Sequence, residues 1–314
     1  MTALPLRRRT LLGATAATLA APALAQERNI RIGYQKYGTL ILLKGRGTLE
    51  PQLRSEGVRV SWTEFPAGPA LLEALNAGAI DFGTTGETPP VFAQAAGAPL
   101  VYVAHEPPAP QGEAILVQRD SPIHSLAELR GKRIAFNRGS NVHYLLVRAL
   151  ESAGLRYADI DPVTLPPADA RIAFERKQVN AWVIWDPFLA AAETASGARR
   201  LADGTGLVSN HQFYLASERA VASMPTVLDT VIGVLAETAS WISQDIPAAA
   251  KLLSPGVGIP APILEIAMRR QAYGVRPLDA AVTAEQQRIA DTFHSLGLLP
   301  RAIRISDAMR KTGA

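Results

Sequence analysis

Short apolar segments alternate with helical segments between residues 30 and 104, and this alternation constrains the fold more than any other feature. Leu71, Leu72 and Leu75 lie at helical spacing, and Gly78 ends that helix. Such alternation favours a parallel sheet with helices on both faces, so we predict an α/β fold. The predicted strands are 30–34, 58–62, 79–83 and 100–104, with one helix near 39–55.

A second α/β run follows a proline-rich break at 106–110, which is stiff and extended. Strands are predicted at 114–117, 133–136, 163–165 and 181–185, and we interpret 213–216 as a strand that returns to the first domain. From about residue 226 the chain is mostly helical. We therefore predict a first lobe formed by 26–112 and 216–314, a second lobe formed by 113–215, and a two-segment hinge near 113 and 213.

The first 25 residues have the pattern of an export signal. Arg7, Arg8 and Arg9 precede the apolar run 11–21, and Ala23 and Ala25 form a small-x-small cleavage site. The run is too short to span a bilayer, which needs about 20 apolar residues. A twin-arginine signal and an ordinary secretion signal both fit these residues. We predict cleavage and a periplasmic location.

Charge and composition exclude several function classes. The net charge of +4 includes the three arginines of the signal, so residues 26–314 carry +1 (4 − 3). Their Lys and Arg residues are scattered, which argues against a nucleic-acid partner. The chain has no cysteine, and its five histidines are dispersed. No nucleophile elbow, P-loop or zinc-protease motif occurs, so we expect no enzyme, no cofactor and no metal.

Polar residues follow the predicted strands at the edge where open parallel sheets bind ligands. There, helix N-termini offer free N–H groups to an anion. Trp182 and Trp185 cannot share one strand face, and Trp185, nearer the strand end, is the better candidate for a cleft. The candidate ligand-binding residues are Gln35, Thr84, Thr85, Gly86, Glu87, Gly139, Ser140, Asn141, His143, Trp185 and Asp186.

Several of these candidates also have a purely structural interpretation. Thr85 and Ser140 could each cap a helix. His143 could be a first-turn residue with a satisfied hydrogen bond. Glu87 could interact with a helix N-terminus, or it could accept a hydrogen bond from a polar part of the ligand. The convergence of two Gly/Ser/Thr helix starts on one edge favours an anion site.

Several runs of residues are similar to one known family. The most specific are FPAGP at 65–69 and WVIWDP at 182–187. The chain resembles the periplasmic aliphatic-sulfonate-binding proteins of ABC transporters, relatives of the taurine-, nitrate- and thiamine-precursor-binding proteins. The resemblance spans about residues 30 to 300, and its other runs are 32–36, 64–69 with 72–76, 86–90 with 92–98, 106–108 and 168–171.

The resemblance implies a type II periplasmic binding fold, in which two lobes close on a small anion such as an alkanesulfonate. It implies a monomer that delivers this ligand to an inner-membrane ABC permease, without catalysis or cofactor. It places ligand contacts around Gln35, 84–87, 139–143 and 185–186. Three alternatives remain: another ligand (taurine, nitrate, a sulfur ester or a thiamine precursor), an enzyme of related fold, and a sensor subunit.

Overall fold

The structure is a computed structural model, and it describes residues 28–310. The predicted export signal at 1–25 lies outside these residues. Between 28 and 310, no helix is long and apolar enough to cross a membrane.

The first half of the described chain alternates strands and helices as predicted. The strands are β1 (Arg28–Tyr34), β2 (Val58–Glu64), β3 (Phe82–Gly86) and β4 (Leu100–His105), and the helices are α1 (Gly38–Arg46), α2 (Leu49–Ser55), α3 (Gly68–Asn76) and α4 (Thr88–Ala95). The single helix predicted near 39–55 is wrong: Gly47, at φ 62°, ends α1, and a new helix starts two residues later. The third strand begins three residues later than predicted, because Asp81 binds Arg31 instead of continuing the strand.

The second half contains one strand that the sequence did not predict, β9. Its strands are β5 (Glu113–Val117), β6 (Arg133–Phe136), β7 (Asp161–Thr164), β8 (Ala181–Trp185), β9 (Arg199–Asp203) and β10 (Gln212–Ser217). Its helices are α5 (Asn141–Ser152), α6 (Pro167–Glu175), α7 (Phe188–Ser196), α8 (Glu218–Ser223), α9 (Pro225–Gln244), α10 (Ile246–Val257), α11 (Ala261–Arg269) and α12 (Ala280–Ser295).

The strands form two five-stranded sheets, in the orders β2-β1-β3-β10-β4 and β7-β6-β8-β5-β9. The predicted α/β fold is confirmed, but both sheets are mixed instead of parallel throughout. In the first sheet β10 runs antiparallel to β3 and β4, and in the second β5 runs antiparallel to β8 and β9. β5 and β10 each come directly after the chain passes from one sheet to the other. No helical crossover precedes them to return the chain to the starting edge of the sheet, so they run antiparallel to their neighbours.

The two passages between the sheets, which we call the crossing segments, are residues 106–112 and 204–211. They lie side by side: the Ala109 N–H donates to the Ser209 carbonyl at 3.0 Å, and the Gly204 N–H donates to the Pro110 carbonyl at 3.0 Å. The whole of β10 belongs to the first sheet, although the predicted boundary of the first lobe was residue 216. We therefore propose lobes separated at 112–113 and 211–212, and we use these bounds below.

Each sheet is covered by helices that bury its apolar side chains. In the first lobe, α1, α9 and α10 pack around Ile30 and Ile32 on one face, while α4 and α12 pack around Tyr102 and Phe213 on the other. In the second lobe, the core surrounds β6 and β8 and includes the fully buried Trp182. The ends of the strands that face the other lobe are left to form the site.

Candidate ligand-binding cleft

A cavity of about 360 Å³ lies between the two lobes, beside the crossing segments. Its lining comes from the first lobe, the second lobe and both crossing segments. The lining residues are Gln35, Tyr37, Gly68, Gly86, Pro89, Gly112, Ser140, Asn141, Trp185, Asp186, Asn210, Gln212 and Gln271.

Six of the eleven predicted site residues lie in this lining, and each follows a strand end or begins a helix. Gln35 follows β1, Gly86 ends β3, and Trp185 ends β8 with Asp186 directly after it. Ser140 and Asn141 are at the start of α5. The carboxyl ends of strands in two different sheets therefore meet at one cavity, as in other α/β ligand sites.

Asn141 connects three parts of the molecule at the cavity. Its Oδ1 accepts a hydrogen bond from the Thr88 N–H of α4 at 3.3 Å, and its Nδ2 donates to Asn210 Oδ1 at 2.5 Å. The amide lies directly on Gly86, where an added Cβ would be 2.0–2.2 Å from its atoms. A second-lobe side chain thus contacts the first lobe and a crossing segment, and the contact requires glycine at 86.

Neutral donors surround the cavity. Tyr37 donates its hydroxyl to Gln212 Oε1 at 2.8 Å, and Gln35 Nε2 donates to the Thr84 carbonyl at 3.0 Å. Burial raises the pKa of Tyr37 well above its ordinary value, so the phenol keeps its proton and remains a donor. The indole N–H of Trp185 is buried and has no acceptor among the described residues.

The start of α5 adds backbone donors. Ser140 occupies the N-cap position, but its hydroxyl donates to the Asn137 carbonyl at 2.7 Å and does not cap the helix. The N–H groups of Asn141 and Val142 lie in the first turn, where no intrahelical acceptor exists. In α4 the Thr88 N–H already donates to Asn141 Oδ1, and Pro89 and Pro90 have no N–H. The second lobe therefore supplies more backbone donors than the first.

Of the described residues that line the cavity, Asp186 is the only one with a charged side chain. Its Oδ1 accepts from the Ala190 N–H at 3.0 Å and lies 3.5 Å from Arg270 Nη1, while its buried Oδ2 has no partner among the described residues. Burial raises the pKa of Asp186 to about 7, although Arg270 opposes the rise. No Lys or Arg lines the cavity, so an anion there would depend on neutral donors and helix dipoles.

Five predicted residues lie beside the cavity without lining it. The hydroxyls of Thr84 and Thr85 donate to backbone carbonyls, at 3.1 Å to Phe213 and 3.0 Å to Gly86, and Thr85 does not cap α4. Gly139 lies against the ring of Phe92. The two remaining residues, Glu87 and His143, have partners elsewhere.

The Glu87 carboxylate, at the N-cap position of α4, binds a crossing segment, a partner that the sequence did not predict. Its Oε2 accepts from the His211 N–H at 2.9 Å, and burial raises its pKa to about 7. The ring of His143 lies 4.9 Å from the rings of both Phe136 and Phe293. Burial lowers the pKa of His143 to about 3, so the ring is neutral and packs between the lobes.

Sequence reasoning missed seven lining residues: Tyr37, Gly68, Pro89, Gly112, Asn210, Gln212 and Gln271. Gly112 and Asn210 belong to the crossing segments, which border any cleft between the lobes and could have been nominated on that ground. Tyr37 lies two residues beyond a nominated strand end. Gln271 follows α11 near the C terminus, and no local pattern in the sequence connects it to the cleft. Between residues 28 and 310, no group of three or more His, Asp or Glu side chains could hold a metal ion.

Two α/β lobes, two crossing segments and a small cavity between them define the class of bilobal solute-binding proteins. The NMT1/THI5 like family matches residues 53–245, and the chain belongs to this family. A relative from Escherichia coli (strain K12), named for the binding of aliphatic sulfonates, is 43% identical over 290 residues, which is 92% of this chain and 90% of the relative.

Two solved structures have the same fold. The alkanesulfonate-binding protein SsuA from Xanthomonas axonopodis pv. citri, bound to MOPS, is 42% identical with a TM-score of 0.86, covering 90% of this chain and 98% of that one. The periplasmic aliphatic sulphonate binding protein SsuA from Escherichia coli is 42% identical with a TM-score of 0.82, covering 90% and 92%. These similarities confirm the predicted family and fold, and each of these relatives is named as a binding protein.

Proposed function

We propose that this protein captures an aliphatic sulfonate in the cleft and delivers it to an inner-membrane ABC permease. The observation that carries the proposal is a small cavity between two lobes whose lining offers neutral donors and no cation. Relatives at 42–43% identity that are named for sulfonates support the choice of ligand.

In this proposal the sulfonate oxygens lie at the start of α5, where the Asn141 and Val142 N–H groups and the positive end of the helix dipole favour an anion. Trp185 Nε1–H donates from the second lobe, and the side-chain amides of Gln212 and Gln271 complete the shell. Because donors come from both lobes and from a crossing segment, the bound anion stabilises the closed arrangement over an open one.

The predicted export signal adds a cellular location to the proposed function. We propose that residues 1–25 are cleaved and that the mature protein is a periplasmic monomer. The mass of the protein isolated from the periplasm tests this: we expect a chain that begins at Gln26. Full-length protein in the membrane fraction would contradict it. A pull-down with the permease separates a transport role from a sensor role.

Calorimetry on residues 26–314 tests the choice of ligand. The panel contains methane-, butane- and hexanesulfonate, taurine, nitrate, sulfate and a thiamine precursor. We expect the alkanesulfonates to bind, and nitrate and sulfate to bind at least tenfold more weakly. Binding of nitrate or the thiamine precursor in the absence of sulfonate binding would overturn the assignment.

A matched pair of tryptophan variants tests the site. Trp185→Phe keeps an aromatic ring and removes one N–H donor. A hydrogen bond to a charged group contributes about 1.5–3 kcal/mol, so we expect the Kd for butanesulfonate to rise at least tenfold. The control is Trp241→Phe, because Trp241 lies in α9 beside Arg46 and outside the cleft. Equal affinity of both variants would remove Trp185 from the site.

Asp186 favours a second candidate ligand, an aminosulfonate such as taurine. Its unpartnered Oδ2 could accept a hydrogen bond from an ammonium group at the far end of the ligand. Tighter binding of taurine than of ethanesulfonate, lost in Asp186→Asn, would establish this candidate. Equal affinities would reject it.

A further inference from the structure

An ion pair joins the two lobes beside the cleft. Arg270 is the C-cap residue of α11 in the first lobe, and Glu193 lies in α7 of the second lobe. Arg270 Nη2 is 2.6 Å from Glu193 Oε2, and the two side chains are 16% and 22% exposed. Because little water reaches this pair, its attraction is screened less than that of an ion pair on the open surface.

Glu193 divides its two carboxylate oxygens between the lobes. Its Oε1 accepts hydrogen bonds from Arg200 Nη2 at 2.8 Å and Nε at 3.2 Å, and Arg200, on β9, also donates to Asp203 Oδ2 at 3.1 Å. Its Oε2 accepts from Arg270. Arg200 and Glu193 belong to the same lobe, so their contact does not depend on the angle between the lobes. The bond to Arg270 forms when the lobes meet.

Arg270 is next to two residues of the cavity lining. Its Nη1 lies 3.5 Å from Asp186 Oδ1 in the second lobe, and Gln271, the following residue, lines the cavity from the first lobe. The Gln271 amide lies against Gly112 of a crossing segment, where an added Cβ would be 2.7 Å from its Nε2. A guanidinium can contact two carboxylates at once, which a lysine ammonium does less well. The position of Arg270 therefore affects the relative position of Gln271 and Asp186.

We propose that Arg270 and Glu193 form a latch that engages when the lobes close, and that Arg270 is a positioning residue for the ligand site. A protein without the Glu193 carboxylate must close with the Arg270 guanidinium largely buried and short of a partner, which costs free energy. The ligand then dissociates faster, because a weakened interface acts mostly on the dissociation rate. The inference rests on the proposed capture of a ligand by closure of the lobes, but not on the choice of that ligand.

Glu193→Gln and Arg200→Gln provide a matched pair of variants. Glu193→Gln loses the ion pair within the second lobe and the latch, whereas Arg200→Gln loses the first and keeps the second. By calorimetry we expect the Kd for butanesulfonate to be at least about threefold higher in Glu193→Gln than in Arg200→Gln, as coupling between contacting residues permits. Stopped-flow fluorescence should place most of this difference in the dissociation rate. Equal Kd values in the two variants would overturn the inference.

A double variant separates the latch from a general effect on stability. Glu193→Gln acts on the ligand through Arg270, so adding it to Arg270→Gln should raise the dissociation rate little further. Arg270→Lys keeps the charge but loses the fork, and its dissociation rate should lie between those of the unmodified protein and Arg270→Gln. Additive effects of Arg270→Gln and Glu193→Gln would mean that the two residues act separately, which contradicts the latch.

A measurement without ligand keeps this inference separate from the proposed function. If butanesulfonate does not bind the unmodified protein, the proposed ligand is wrong, and small-angle scattering then tests the latch. We expect a larger radius of gyration for Glu193→Gln than for Arg200→Gln, because loss of the latch favours the open arrangement. Equal radii in the two variants would overturn the inference in that case.

Discussion

The contact between Gly86 and Asn141 predicts that one added methyl group will weaken ligand binding. Gly86 does not have a left-handed φ, so its backbone accepts alanine and only space is at issue. The new Cβ would lie 2.0–2.2 Å from the amide of Asn141. Either that amide leaves its place or the lobes stay apart, and both outcomes break the hydrogen bonds of Asn141 to Thr88 and Asn210.

Two hydrogen bonds at about 0.5–1.5 kcal/mol each give about 1–3 kcal/mol, or a roughly 5- to 160-fold rise in Kd for butanesulfonate. Calorimetry measures this value, and small-angle scattering should show a larger radius of gyration for Gly86→Ala. The double variant Gly86→Ala/Asn141→Ala has no clash, so it should bind about as well as Asn141→Ala alone. Additive losses in the double variant would refute the steric explanation.

Two predictions concern buried carboxylates. Burial raises the pKa of Glu106 from its ordinary 4.5 to about 7, so the folded protein holds a proton that the unfolded chain has lost, and stability falls as pH rises from about 4.5 to 7. Each tenfold change in the ionisation constant corresponds to about 1.36 kcal/mol. We therefore expect the gain in the free energy of unfolding from Glu106→Gln to be about 3 kcal/mol larger at pH 8 than at pH 4, as measured by urea unfolding. An equal gain at both pH values would contradict this prediction. Asp81 is different, because hydrogen bonds from Arg31 and Arg219 outweigh its burial and hold its pKa below the ordinary 3.8. Its contribution is present above pH 3.8 and is lost as pH falls through the folded pKa, so Asp81→Asn should cost about 3 kcal/mol at pH 7 and less at a pH below that folded pKa. An equal cost at both pH values in the same assay would contradict this second prediction.

The sequence was a good guide to strands that bury both faces and a poor guide to strand direction. Runs such as Ala181–Trp185 are apolar throughout, and the structure has a strand there. Strand direction depends on how the chain passes between the sheets, and the residues of β5 and β10 carry no local sign of it. The half-buried β9 has two arginines and an aspartate, so a search for apolar periodicity does not find it.

The residues at the cavity also divide into those that local sequence patterns indicate and those that depend on tertiary packing. Gln35, Gly86, Ser140 and Trp185 were found because strand ends and helix starts can be located in a sequence. Thr84 and Thr85 lie beside the cavity because their hydroxyls donate to backbone carbonyls, and for Thr84 that carbonyl belongs to a neighbouring strand that the local sequence does not show. Gln271 comes from a part of the chain that reaches the cleft only through tertiary packing.

The hydrogen bonds between the crossing segments have a mechanical consequence. Two independent connections would let the lobes both bend and twist against each other. We expect segments that are hydrogen-bonded to each other to bend together, so that the lobes rotate mainly about one axis. Because Asn210, in one of these segments, also accepts a hydrogen bond from Asn141 in the cleft, we expect the hinge angle and the state of the site to change together. One distance between spectroscopic labels on the two lobes therefore suffices to follow closure.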